Sequence, residues 1–152
     1  MTKPFIPFNL LLLGSALILQ PVWAQDCSVS IDSNDAMQFS TDEIVVDGSC
    51  SEIELTLNHV GAMPAQAMGH NWVLARSEDA QAVNNDGMNA GLSNDYIRPD
   101  DDRVIAHTQV IGGGESTTIT FSIEDLDPEA EYTFFCSFPG HYFVMQGTFK
   151  ID

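Results

Sequence analysis

Basic side chains are nearly missing from this chain. Of 152 residues, five are Lys or Arg against 22 Asp and Glu, giving a formal charge of −17 with His neutral. A surface of that sign repels phosphate backbones and anionic headgroups, which excludes nucleic acid and membrane surfaces as partners. It suits either a cationic protein partner or a protein kept soluble at high salt, and composition does not separate the two. Long apolar runs are lacking as well. The stretch "FNLLLLGSALIL" at residues 8–19 falls short of the roughly 20 residues that span a bilayer. Lys3 precedes it, and "VWA" follows, ending in Ala24. That order is a secretory signal peptide over residues 1–24.

Removing that segment takes Lys3 with it and leaves residues 25–152 more acidic still. This length holds one domain with a real core and is too short for two. There is no internal repeat and no low-complexity tract. Cysteine is sparse: Cys27, Cys50 and Cys136. In an exported protein three cysteines mean one disulfide and one cysteine left over. Cys27 and Cys50 lie close in sequence and flank strand-like segments, so they are expected to pair, with a gain on the order of 3 kcal/mol from loop closure. A free thiol in an oxidising compartment is a liability unless it is buried or held by a metal.

What is plentiful is alternation. "CSVSI" sets Cys27, Val29 and Ile31 against serines, and "EIELTLNHV" sets Ile53, Leu55 and Leu57 against Glu and Thr. "TITFSI" and "EYTFFCSF" read the same way, and "AMQFS", "EIVVD", "HNWVLA", "RVIAHT" and "QGTFKID" are further strand candidates. Period two with one polar face marks half-buried antiparallel strands. The predicted fold is all-β, a Greek-key β-sandwich of about eight strands. One short helical insertion interrupts it at "SEDAQAVNNDGMNAGL", with Ser77 as the expected N-cap and acids in the first turn.

The chemistry is concentrated in "CSFPGHYFVM", residues 136–145, where Cys136, His141 and Met145 stand at spacing C-x4-H-x3-M with no charge among them. Thiolate, imidazole and thioether form a soft donor set suited to copper in both oxidation states, and zinc also accepts the first two. A blue-copper site needs one Cys and two His in a plane with a long axial Met. The second His must come from His59, His70 or His107. Gly69 before His70 allows a close backbone approach, and His70 stands where a strand begins, which favours it.

"GHNWVL", "DGM", "RVIAHT" and "FFCSFPGH…M" together resemble the azurins of the cupredoxin family over all of residues 25–152. The resemblance implies a cupredoxin-like sandwich with His70, Cys136 and His141 as equatorial copper ligands. It implies Met145 and the Gly69 carbonyl as axial contacts. Asn71 would tie the ligand loops together, and the N–H groups of Asn71 and Phe138 would face the sulfur. His59 would be a buried histidine beside the site, and Trp72 the core indole. The implied function is one-electron transfer by Cu(I)/Cu(II) cycling in the periplasm, as a monomer. Implied partners are c-type cytochromes or a periplasmic reductase.

Residues 59–75 and 132–149 carry no Asp, Glu, Lys or Arg. Both ligand loops lie in these windows, so an apolar docking patch is expected around His141. Its members would be Met63, Met68, Met88, Phe138, Pro139, Gly140, Tyr142 and Phe143. Tyr142 and Phe143 stand where azurins carry small residues, and both are expected to reshape the patch. A copper oxidase or nitrite reductase would need a second histidine cluster, and only His59 and His107 are spare. A copper store would need exposed Met or Cys clusters. Neither enzyme nor store fits as well as an electron carrier.

Overall fold

The computed structural model describes residues 27–152, so the expected signal peptide lies outside the described residues. Among the described residues nine strands form two sheets packed face to face. The four-stranded sheet has the order β2 (Gln38–Phe39), β1 (Ser28–Asn34), β4 (Glu52–His59), β7 (Ser116–Ser122). The other has the order β3 (Glu43–Val46), β9 (Gln146–Ile151), β8 (Tyr132–Phe135), β5 (Val73–Arg76), β6 (Val104–His107).

The alternation works as expected in β4, where Ile53, Leu55 and Leu57 are buried and Glu52 and Glu54 face water. With Ile31, Leu74, Phe121, Phe134 and Phe149 they close over Trp72 between the sheets. The indole stacks against Phe134 at 6.1 Å and leans on Phe121 at 5.7 Å. Its Nε1–H has no acceptor, a cost of about 1–3 kcal/mol that burial of so large an apolar ring offsets. Cys27 and Cys50 are bonded, with Cα atoms 5.8 Å apart, and tie β1 to the turn before β4.

Three expectations need correction. Antiparallel pairing is not universal, because β1 runs parallel to β4 and β3 parallel to β9. Periodicity reports which face a residue occupies and is blind to strand direction. There is more helix than one insertion: α1 spans Ala65–Met68 and α2 spans Ser77–Gly87. Ser77 is the first residue of α2 and not its cap; its hydroxyl is shared with Thr133 of β8 at 2.8 Å. α2 lies on the outer face of the five-stranded sheet, where Ala80 and Val83 cover Val73, Ala75 and Phe135. That cover buries both faces of β5, so Val73, Leu74 and Ala75 are all inaccessible.

Candidate metal centre

At one end of the sandwich β8 and β9 meet as a hairpin whose last ladder pair is Phe135 and Gln146. The next residues on the two sides are Cys136 and Met145, joined by the Cys136 N–H to the Met145 carbonyl at 3.0 Å. The C-x4-H-x3-M spacing is therefore a hairpin loop. Inside it His141 N–H donates to the Phe138 carbonyl at 3.0 Å, and Met145 N–H donates to the His141 carbonyl at 2.8 Å. Gly140 takes φ +87°, a left-handed turn that side chains resist, and this turns His141 back beneath the loop.

His70 arrives from the other direction. It follows α1 and Gly69 and makes an isolated bridge with Ile111, exchanging both backbone hydrogen bonds at 3.0 and 2.9 Å. Its Nε2–H donates to the Asn34 carbonyl at 2.9 Å, which leaves Nδ1 as a lone-pair donor. Asn71 fastens this segment to the hairpin loop. Its carbonyl oxygen accepts from Ser137 N–H at 2.9 Å, and its amide donates to the Ser137 hydroxyl and the Asp95 carbonyl, each at 2.8 Å. Sequence reasoning missed Ser137, Asp95 and Asn34. Asp95 sits in the left-handed region at φ +53° and anchors Val110 through its carboxylate at 2.7 Å. None of these roles has a local motif; all are made by residues distant in sequence.

The result is a triangle of donor atoms. Cys136 Sγ stands 3.7 Å from His70 Nδ1 and 3.6 Å from His141 Nδ1, and the two nitrogens are 3.2 Å apart. Two imidazole lone pairs that close repel each other unless a cation or a proton lies between them. The point equidistant from the three atoms is roughly 2.0 Å from each, close to the bond lengths of about 2.0–2.3 Å that N and S donors make to such ions. The donor set thus fits a soft transition metal. Met145 packs with Cys136 and Phe138 on the same side and is buried.

The two histidines are in the protonation state a metal requires, whereas the buried thiol would need the cation itself to ionise. Burial pushes the Cys136 thiol up to about 12, against the pull of the backbone N–H groups of Asn71 and Phe138, which face the sulfur. Burial also lowers His70 to about 4 and lowers His141, so both rings are neutral lone-pair donors at ordinary pH. His59 is buried beside the site, its ring 4.6 Å from that of His70. It donates from Nε2 to the Met68 carbonyl and accepts the Gly61 N–H at Nδ1, so both ring nitrogens are used. His107 is exposed on β6.

The expected patch is divided. Met63, Met88, Pro139, Gly140 and Phe143 are exposed and Met68 is half-buried. Phe138 is buried, packed on the His141 ring at 4.6 Å, and His141 itself is 3 % exposed. Tyr142 does not join the surface. Its ring meets Phe135 edge-on at 5.2 Å and completes the apolar cluster under α2, leaving it 9 % exposed. The loop turns between His141 and Met145, so Tyr142 faces inward while Phe143, 74 % exposed, and Val144 stand on the outside.

Comparison with known proteins gives the same assignment. Residues 25–152 match the profile of the copper binding proteins, plastocyanin/azurin family. The chain is 55 % identical to the azurin of Achromobacter denitrificans over 132 residues, covering 87 % of this chain and 89 % of that protein. It is 48 % identical to the azurin of Pseudomonas aeruginosa over 136 residues, covering 90 % and 92 %. Among solved structures, the azurin Az-iso2 of Methylomonas sp. strain J superposes with a TM-score of 0.80 at 45 % identity, covering 83 % of this chain and 98 % of that one. A soft three-donor site at the end of a β-sandwich, in a sequence this similar, places the chain in the plastocyanin/azurin family, as a blue copper protein that transfers electrons.

Proposed function

We propose that His70, Cys136 and His141 would hold the copper, with Met145 and the Gly69 carbonyl as weaker additional contacts. The mature protein of residues 25–152 would serve as a periplasmic carrier between c-type cytochromes or a reductase. Copper held there supplies a Cu(I)/Cu(II) couple, which moves one electron without substrate chemistry. The observation that carries the reading is the convergence of Sγ and two Nδ1 atoms within 3.7 Å of one another, all buried. The chain's own part is to hold those atoms still. Asn34 fixes the His70 tautomer, Asn71 and Ser137 lock the two loops together, and the hairpin ladder pins Cys136 against Met145. Such outer contacts orient ligands and tune the metal. Phe138 packs over His141 and excludes water, so the electron's exit is the narrow accessible edge of that ring. His59 and His107 stay outside the donor cluster, which favours a carrier over a multi-copper enzyme. The test is the oxidised protein's absorption spectrum: an intense thiolate-to-copper band in the red is expected, and Cys136→Ser must abolish it. Persistent colour in that variant would refute the ligand assignment.

A further inference from the structure

His141 lies between two apolar clusters that are built differently. On one side Phe138 packs on its ring at 4.6 Å, and the buried partners of Phe138 are Cys136 and Met145, the two ends of the loop itself. On the other side the next residue, Tyr142, enters the cluster under α2. Its partners there belong to the scaffold: Val73 and Ala75 of β5, Ala80 and Val83 of α2, and Phe135 of β8. Ser137 is tied to Asn71 at the start of the loop. Beyond Phe138, where Pro139, Gly140, Phe143 and Val144 are all exposed, Tyr142 is the side chain that fastens the loop to regular structure.

Tyr142 meets Phe135 edge-on at 5.2 Å. Phe135 is the residue before Cys136, and Tyr142 is the residue after His141. One aromatic pair therefore closes the span between these two donors at both ends. The pair has a force to oppose. His70 Nδ1 and His141 Nδ1 stand 3.2 Å apart, and in the metal-free protein two lone pairs that close drive His141 outward. Gly140, directly before it, has no side chain to resist that movement. Tyr142 resists it, because moving the ring out of its cluster exposes apolar surface on three elements of the scaffold.

We propose that Tyr142 is a positioning residue: its ring, held edge-on against Phe135 under α2, keeps the Cys136–His141 span closed and His141 Nδ1 in place before copper binds. The proposal deepens the reading that His141 helps to hold the metal. A span already closed by packing needs little rearrangement to take up the ion, which is how a rigid neighbour contributes to a metal site it does not touch.

The experiment reads the metal-free protein first. Val144 N–H and Met145 N–H both donate to the His141 carbonyl, at 3.0 and 2.8 Å, so their hydrogen exchange reports the placement of His141. In Tyr142→Ser these two amides are expected to exchange about tenfold or more faster than in the parent, relative to the amides of Leu55 and Leu57 in β4. Release of copper from the loaded protein to a chelator is the second reading, expected to quicken about tenfold or more. Tyr142→Phe keeps the ring and should restore both. Phe135→Leu removes the pair from the β8 side and should reproduce both, which decides the matter even where Tyr142→Ser does not fold. The control is the protein without the Cys27–Cys50 bond, which lies beyond the Glu52 end of β4, opposite His59, and reports lost stability alone. Loop amides that quicken only in step with those of β4, equal quickening in the control, or a Tyr142→Phe protein that behaves like Tyr142→Ser would overturn the proposal. The two readings fail separately. If the parent shows no thiolate-to-copper band, the copper assignment falls, while exchange in the metal-free protein still decides whether Tyr142 holds the span. If the band is present and both exchange and release ignore the change at Tyr142, only the positioning role falls.

Discussion

Replacing Gly69 with alanine probes how packing holds the three converging donor atoms. Gly69 has φ −71° and ψ 148°, angles that any residue adopts, so a methyl group there adds no backbone strain. Space is what it lacks: the Cβ would lie 2.4 Å from the Ala65 carbonyl oxygen and 2.5 Å from Val110 Cγ1. Real Cβ contacts start near 3.0 Å, so something must shift by about 0.6 Å. On one side is helical backbone; on the other is Val110, which Asp95 anchors and which precedes the Ile111 bridge to His70. The displacement therefore passes to the His70 ring, whose Nδ1 stands 3.2 and 3.7 Å from the other donors. Overpacking of this kind costs about 1–3 kcal/mol, which for a domain of this size lowers Tm by roughly 3–10 °C. Urea and thermal unfolding of the copper-free protein, with a competitive copper titration, measure both effects. Copper affinity is expected to drop about tenfold or more, as it does when ligand support is disturbed. Gly114→Ala is the control. Its φ is +80° with nothing within 4 Å of the added Cβ, so it should lose about 1–2 kcal/mol through left-handed strain and keep its copper affinity. A Gly69→Ala protein with parental stability and copper affinity would refute the reasoning.

Other changes test separate links. Tyr142→Ser opens a hole under α2 and should cost about 2–4 kcal/mol, whereas Phe143→Ala should change stability by less than about 0.5 kcal/mol; equal losses would contradict the inward and outward assignment. Converting both Cys27 and Cys50 to alanine removes a crosslink across 23 residues, worth about 3 kcal/mol, and an unchanged urea midpoint would exclude that contribution. Hydrogen bonds from Arg103 hold the Asp101 carboxyl at about 2, below its ordinary value. Because the folded value lies below the unfolded one, the stabilisation is full above about pH 4 and fades as pH falls toward about 2. Asp101→Asn should lower stability at neutral pH and flatten that acid limb, which stability curves from pH 5 to about 2 would show; a limb of unchanged slope would contradict it.

The sequence by itself determined most of the architecture and the donor set. Alternation in residues 52–59 marks which side chains of β4 are buried because a strand's side chains point to opposite faces whatever its neighbours are. The ten-residue "CSFPGHYFVM" carries three donors at a spacing that one hairpin loop converges, so its chemistry is local and legible. Three cysteines imply one bond and one free thiol, and the closeness of Cys27 and Cys50 in sequence singled out the bond that the structure contains, leaving Cys136 free. Other features depend on partners that no local pattern names. The parallel pairings of β1 with β4 and β3 with β9 arise from how the sheets close. Asp95 became a junction for both donor-bearing segments only because Asn71 and Ser137, distant in sequence, reach its carbonyl. Tyr142 and Phe143 are adjacent aromatics of similar hydrophobicity, and only the placement of α2 made one a core residue and left the other exposed. Composition measures how much apolar surface a chain owns; which of it meets water is decided by what packs against it.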